Sequence, residues 1–354
     1  MIGISLLTLD PSTVGGTQTY ARGLVEALAA HGTIDYRVFV SEIAAEAGGD
    51  LRTIVVPEFP AGRSRPGRVL GLAAATLWDR RLRRALAREQ VQAFHFPLTV
   101  MLPRVGVPAA TTIHDLQHEA FPQFFSRPQL TYRRRVYGRS VRASRLVVAV
   151  SEHVGDDLAE RLGYPRDRVR VIYHGVDHER FRPDRRAREP FILYPANWWT
   201  HKNHELLLEA FALVRAERPG LRLVFTGAGH PGSLPDAVSS LGRVSDDRLA
   251  DLYRSAAALV FPSLYEGFGL PPLEAMACGC PVAVSRVGAL PEVCGEAAVY
   301  FEPTSVDDIA RGIGDVLDRP PGGGVERAAR FTWEEFARRH DAVYRELAGD
   351  PGLG

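Results

Sequence analysis

The sequence predicts an α/β protein built from two doubly wound parallel-sheet domains, and three observations carry that prediction. Short apolar runs alternate with amphipathic stretches along nearly the whole chain, the pattern of a parallel sheet with helices on its faces. The alternation occurs twice, before and after a stretch in which Tyr173–Asp177 gives way to the charged segment Arg180 to Glu189 with Pro183 and Pro190, a hinge and linker composition. The length of 354 residues suits about two domains, each able to bury a substantial core.

In the first half, Ile2 to Leu9 is apolar enough for a buried strand. Thr13-Val14-Gly15-Gly16-Thr17-Gln18-Thr19-Tyr20 then forms a glycine loop leading into a helix with Leu24, Val25 and Leu28 on its apolar face. Further strands are expected at Tyr36 to Val40, Thr53 to Val56, Ala93 to Phe96, Ala109 to Ile113 and Leu146 to Val150. The second half repeats the design at Phe191 to Tyr194, Arg222 to Thr226, Ala257 to Phe261, Val282 to Ser285 and Ala298 to Phe301, with helices in the gaps. The domains read as 1–176 and 177–330. A last segment, 331–354, carries a helix that Thr332 can cap, after the Pro320 to Gly324 loop.

Composition excludes several functions. Lys plus Arg total 43 against 42 Asp plus Glu, a formal charge of +1, which gives no general electrostatic case for nucleic-acid binding. Cys278, Cys280 and Cys294 are an odd set without zinc or redox spacing and read as buried thiols of a reducing cytosol. Met1 to Asp10 has no basic n-region and reads as a first strand, and no run reaches membrane-span length, so a cytoplasmic location is expected. Two arginine-rich runs, Arg80 to Arg84 and Arg133 to Arg145, read as solvated helix faces. Their functional alternative is contact with anionic lipid, a peripheral membrane association, or with a phosphorylated acceptor.

The chemistry concentrates between Val260 and Val282. An apolar strand ending at Phe261 is followed by Glu266-Gly267-Phe268-Gly269-Leu270, then by Pro271-Pro272, which suit a helix start, and by Gly279, which suits its end. The glycines let backbone N–H groups face an anion beside the positive end of the helix dipole. Glu266 in the turn and Glu274, placed in the first helical turn, flank the same mouth and can accept hydrogen bonds from vicinal hydroxyls. Hydroxyls beside a phosphate describe a nucleotide sugar. Gly15-Gly16 offers a second helix N-terminus for phosphate, and that loop carries no Gly-x-Gly-x-x-Gly, so it lends poor support to a dinucleotide cofactor. His114 ends a predicted strand, where open parallel sheets bind ligands. Lys202 follows another and can meet diphosphate charge.

These motifs resemble the donor site of the retaining glycosyltransferases of the GT-B fold, the glycosyl transferases of group 1. The resemblance spans nearly the whole chain and is most specific between residues 194 and 292. It implies two Rossmann-like domains facing a cleft, with the last helix crossing back onto the N-terminal domain. It implies that Glu266 meets the donor hexose and Glu274 the ribose, that the Gly15-Gly16 loop meets the distal phosphate, and that His114 touches the hexose near the reacting carbon. It places Lys202 on the diphosphate and Arg243 and Val244 on the base, and gives Ser151-Glu152 a structural or cleft-lining place. The family usually carries Arg five residues before this Lys, where this chain has Asn197, which donates a hydrogen bond but cannot neutralise charge. His201 or Arg286 are the candidates to compensate.

The implied activity is a retaining hexosyl transfer from a nucleotide-diphosphate sugar, with GDP-mannose and UDP-hexose both open, to an acceptor hydroxyl. No Asp-x-Asp triplet occurs, so the expectation is metal independence and no cofactor. A nucleotide-sugar epimerase or hydrolase on the same fold, and a non-catalytic nucleotide-sugar-binding protein, stand as alternatives. Acceptor contacts are expected in residues 58–80 and 117–135.

Overall fold

The computed structural model describes residues 1–11, 15–59, 79–229 and 232–349. Part of the glycine loop (Thr13, Val14) and most of the 58–80 segment lie outside them. The chain forms two compact units, one of Met1–Gly175 with Trp333–Gly354, the other of Val176–Thr332.

The first unit is built on seven strands: β1 (Ile2–Leu6), β2 (Tyr36–Val40), β3 (Thr53–Val55), β4 (Ala93–Phe96), β5 (Ala109–Ile113), β6 (Leu146–Ala149) and β7 (Val169–Val171). Their order is β3-β2-β1-β4-β5-β6-β7, parallel throughout. The direction in which strands are added reverses between β1 and β4, which is where open α/β sheets leave a crevice beyond their carboxyl ends. Ile2, Ile4 and Leu6 of β1 and Val147 and Val148 of β6 are buried, as expected of strands covered on both faces.

The second unit has six parallel strands: β8 (Glu189–Pro195), β9 (Arg222–Thr226), β10 (Val238–Ser240), β11 (Ala256–Phe261), β12 (Val282–Ser285) and β13 (Val299–Phe301). They run in the order β10-β9-β8-β11-β12-β13, so the reversal falls between β8 and β11.

Five of the expected strands (β2, β4, β5, β9 and β12) have the bounds the sequence predicts, and the differences have local causes. β1 stops at Leu6 because Leu9 N–H turns back to the Leu6 carbonyl at 3.0 Å. β7 and β10 were not expected: each is a three-residue edge strand, too short for periodicity to show, and each exists only as a pairing with its inner neighbour.

The helix Trp333–Ala348 belongs to the first unit, where it packs beside the helix Gly16–His31. Its Trp333 ring occupies space left by two glycines. A Cβ built on Gly23 would stand 2.2 Å from the ring, and one on Gly175 2.6 Å from it. Farther along, Asp341 accepts from Thr33 N–H at 2.8 Å, from the Thr33 hydroxyl at 2.7 Å and from the Tyr36 hydroxyl. Beneath it lie His340 and Tyr344, both fully buried.

Two predictions follow from this packing. Gly23→Ala forces Trp333 to move, so the urea midpoint should fall by the equivalent of about 1–3 kcal/mol. An unchanged midpoint would mean that the ring is free to shift. Burial holds His174 down to about 3 and His340 down to about 4, against an ordinary 6.5. Below pH 6.5 the unfolded chain takes up protons that the folded unit refuses. Stability should therefore decline by about 1.4 kcal/mol per pH unit for each imidazole, until the pH reaches its folded value. Urea midpoints measured from pH 7.5 to 4.5 should drop steeply below 6.5, and a flat profile would contradict this burial.

Candidate active site

In the second unit the loops after β8 and β11 flank the reversal in strand order, and the backbone beneath them is tied down at several points. After β8 a tight 3₁₀ turn, Thr200–Lys202, leads into Asn203, which takes a left-handed φ of 58° before the helix His204–Glu217. The Asn203 amide donates to the Pro262 carbonyl at 3.1 Å and to the Pro303 carbonyl at 2.7 Å. The Tyr194 hydroxyl donates to the Lys202 carbonyl at 2.6 Å, and Leu264 N–H donates to the His201 carbonyl at 2.8 Å. On the other side, Ala289 N–H donates to the Glu266 carbonyl at 3.1 Å, an approach that a Cβ on Gly288 would block at 2.5 Å.

These ties bring two of the predicted residues together. Lys202 Nζ donates to Glu266 Oε1 at 2.5 Å, with the two side chains only 12% and 13% exposed. The ammonium also sits 5.0 Å from the centroid of the buried Phe261 ring. An ion pair this withdrawn from water strengthens in the lower local dielectric but costs desolvation, so it persists because both partners are present.

Beyond Glu266, Gly267 and Phe268 are buried and Gly269 takes φ 100° as the cap of the helix Leu270–Ala277, with Pro271 in its first turn. That dihedral favours glycine, and a Cβ there would stand 2.6 Å from Leu290. Glu274 lies a full turn inside this helix instead of in its first turn, because the helix begins at Leu270. It is therefore no partner for the helix dipole: it is 9% exposed, and its Oε2 accepts from the Tyr253 hydroxyl at 3.0 Å. Burial pushes its carboxyl up to about 8.

Asn197 joins a different set of contacts. Its Oδ1 accepts from Ala228 N–H at 2.8 Å, while Trp198 N–H donates to the Ala228 carbonyl at 2.9 Å. Gly227 N–H in turn donates to Gly242 O at 2.8 Å, so the loops after β8, β9 and β10 are laced edge to edge. Arg243 is exposed on the last of these loops, and Val244 is half-buried. Arg286, a candidate to replace the missing cation, is exposed with its guanidinium 4.6 Å from the Tyr300 ring centroid.

In the first unit, Gly15 has an extended φ of 169° that any residue adopts, and Gly16 opens the helix Gly16–His31. Among the described residues, nothing lies within 4 Å of a Cβ built on Gly16. Among the described residues, then, nothing supplies a steric reason for glycine at Gly16. At the end of β5, His114 Nε2 donates to the Pro97 carbonyl at 2.7 Å. Burial lowers its pKa, so the ring is neutral near pH 7, with its proton on Nε2 and an acceptor lone pair on Nδ1. Asp115 does not orient that ring by a direct bond. Its Oδ1 accepts from Gln117 N–H at 3.1 Å. Ser151 has a structural role, its Oγ accepting from Val154 N–H at 3.1 Å as the cap of the helix Glu152–Leu162. Among the described residues, no group of three or more His, Cys, Asp or Glu side chains is placed to hold a metal ion.

A family model described as Glycosyl transferases group 1 matches residues 176–338, and one described as Glycosyltransferase Family 4 matches residues 14–180. The MMP alpha-(1->4)-mannosyltransferase of Mycolicibacterium hassiacum is 31% identical over 278 residues, covering 70% of this chain and 67% of that protein. The chain belongs to the group 1 glycosyltransferases. The O-antigen chain mannosyltransferase B of Escherichia coli is 28% identical over 301 residues, covering 77% of this glycosyltransferase and 78% of that protein. Among solved structures, a sucrose-phosphate synthase from Thermosynechococcus elongatus superposes with a TM-score of 0.77 at 23% identity, covering 98% of this chain and 99% of the other. The Anabaena protein HepE, solved with UDP and glucose, gives a TM-score of 0.71 at 15% identity over 98% of this chain and 99% of the other. At these identities the structures establish the GT-B fold.

Three residues that position this glycosyltransferase's site carry little trace in the sequence. Asn203 sits beside the recognised Lys202, and its left-handed conformation is the one usable signal. Tyr253 meets Glu274 across 21 positions of sequence, and Gly288 makes room for the Glu266 carbonyl, with nothing local to announce either contact.

Glu274 supplies a prediction about stability. An unfolded glutamate ionises near 4.5, whereas this one keeps its proton to about 8, so the wild-type fold loses stability as pH rises between those values. Glu274→Gln keeps an oxygen for Tyr253 and removes that loss. At pH 7.5 it should be more stable than wild type by on the order of 4 kcal/mol, with little difference at pH 4.5. Equal stability at both pH values would show that the carboxyl is not held neutral.

Proposed function

We propose that this glycosyltransferase moves a hexose, with retention of anomeric configuration, from a nucleotide-diphosphate sugar to an acceptor hydroxyl, without a metal ion or cofactor. The observation that carries this reading is the Lys202–Glu266 pair beside the Gly267-Phe268-Gly269 helix start, at the strand-order reversal of the second unit. An arriving diphosphate draws on the Lys202 ammonium and on the N–H groups of the helix start, and Glu266, no longer needed as counter-ion, accepts from hexose hydroxyls. Glu274 and the exposed loop of Arg243 and Val244 serve the ribose and base.

The reaction breaks the bond between the anomeric carbon and the diphosphate oxygen. The acceptor oxygen bonds to that carbon on the same face, and the acceptor proton passes to an oxygen of the leaving diphosphate. Charge gathers on the diphosphate as the bond breaks, so a fixed ammonium and oriented N–H groups act mainly in the transition state. In the first unit, the Nδ1 lone pair of His114 suits a hexose hydroxyl, and the Gly15-Gly16 helix start suits a phosphate. The names of the mannosyltransferase relatives favour mannose as the hexose, and GDP-mannose and a UDP-hexose are the two donor candidates.

We also place the protein in the cytoplasm, with peripheral contact to anionic lipid through the helix Asp79–Ala87. Its Leu82 and Leu86 are buried while Arg80, Arg81, Arg83 and Arg84 face outward. Among the described residues no helix is long and apolar enough to cross a membrane.

Melting curves with GDP, UDP, ADP and dTDP identify the carrier. A ligand at about a hundredfold its dissociation constant stabilises the fold by roughly 2.7 kcal/mol, so one nucleotide should stand apart. With the matching donor, Lys202→Met and Glu266→Gln should each lower turnover on the order of a hundredfold or more. Turnover within a few fold of wild type in both variants would remove the pair from the mechanism.

A further inference from the structure

Behind His114 the first unit buries a set of polar side chains whose hydrogen bonds have one possible direction. The Phe336 carbonyl can only accept, so His340 Nδ1 donates to it at 2.8 Å. His340 is fully buried and neutral, so its Nε2 accepts, and the Tyr20 hydroxyl donates to it at 2.9 Å. The Tyr20 proton is then spent, and the Thr112 hydroxyl donates to the Tyr20 oxygen at 3.1 Å. The Thr112 proton is spent in turn, so His95 Nε2 donates to Thr112 at 2.7 Å. His95 is likewise fully buried and held neutral, and its Nδ1 accepts from the Tyr344 hydroxyl at 2.8 Å.

The chain therefore starts and ends on the helix Trp333–Ala348, passes through β4, β5 and the helix Gly16–His31, and leaves none of its links open. The Tyr20 ring at its centre meets the His114 imidazole edge-on, with centroids 4.8 Å apart and planes at 85°, and it also meets the His174 ring edge-on at 5.0 Å. Thr112 stands two residues before His114, so the strand that carries the chain also carries that imidazole.

We propose that Tyr20 and His340 are positioning residues of the transferase: through this directed chain the C-terminal helix holds the Tyr20 ring, and the Tyr20 ring holds the plane of His114. The proposal rests on the reading that His114 meets the donor hexose. The chain hydroxyl of Tyr20 also lies on the helix whose first turn carries Gly16, so the same bonds fix both candidate ligand contacts of the first unit. Because each member of the chain has one proton to give, removing one acceptor reverses or strands its neighbours.

The test uses the full chain and two readouts: the nitrogen spectrum of the His114 imidazole, assigned with His114→Asn, and the kcat and donor KM of transfer. Wild type should show a single tautomer with the proton on Nε2. Tyr20→Phe keeps the ring and removes the bridging hydroxyl, and His340→Leu removes the acceptor. Both should leave the His114 proton on Nε2, where the Pro97 carbonyl holds it, but shift and broaden the nitrogen signals as the ring plane loosens, and lower kcat by roughly tenfold with donor KM within about twofold. His340→Gln returns an acceptor to Tyr20 and should restore at least half of the lost kcat. An unchanged His114 spectrum in both Tyr20→Phe and His340→Leu would overturn the proposal. Should His340→Leu not fold, Tyr20→Phe decides alone. A spectrum that moves while kcat stays within twofold would uphold the positioning and instead overturn the assignment of His114 to the donor.

Discussion

The ion pair between Lys202 and Glu266 is the interaction around which the second unit is arranged. A parallel sheet places the ends of β8 and β11 side by side where strand order reverses, and the loops that leave them must diverge to opposite faces. Two opposite charges in that gap satisfy each other when nothing else is present. The neighbouring bonds spend backbone groups and keep side chains available. Asn203 ties the Lys202 turn to Pro262 and Pro303, and Tyr194 holds the Lys202 carbonyl. The Glu266 carbonyl is held by Ala289 N–H. The main chain is thus fixed by neutral hydrogen bonds, and among the described residues the charged tips hydrogen-bond to each other, an arrangement that an incoming anion can open without unfolding a loop.

The first unit solves a different problem by related means. Its C-terminal segment must return to a sheet formed by residues some three hundred positions earlier, and apolar contact alone gives little direction. Trp333 in its glycine socket sets where the helix lands, and the Asp341 contacts with Thr33 and Tyr36 set its rotation. The buried chain from Tyr344 to Phe336 then tolerates one protonation pattern only.

How much of this was legible in the sequence depended on whether the signal was local. Long apolar runs bounded by turns, such as Tyr36 to Val40 and Arg222 to Thr226, announced strands with the bounds observed, because burial on both faces demands such runs. β7 and β10 did not, since three residues at a sheet edge carry no pattern. Lys202 and Glu266 stood out through the residue types around them, but their contact did not, because it joins loops 64 positions apart. Glu274 was legible as a carboxylate but was placed in the first turn, since Pro271-Pro272 suggested a helix start one residue later than Leu270, and the earlier start is enough to carry Glu274 past that turn. Asn197 looked like a weakened cation site. Its acceptor role toward Ala228 became visible only with the folding of the loop after β9 beside it.

The substitution at Asn197 and the burial of Glu274 belong together in the charge balance of the second unit. An arginine at position 197 would add a positive charge, and Asn197 contributes none while its Oδ1 secures the Ala228 loop, a bond that a guanidinium cannot accept. Glu274 holds its proton to about 8, so near neutral pH it contributes no negative charge either. Relative to a site with an arginine and an ionised second glutamate, the missing positive charge is matched by a missing negative one. Of the candidate site residues, those that keep a charge are Lys202 and Glu266, which cancel, together with the exposed Arg243 and Arg286. Under the proposed function, the attraction for a diphosphate would come from oriented N–H groups and from an ammonium whose partner turns to sugar hydroxyls, and salt would screen it little because the pair is largely shielded from solvent.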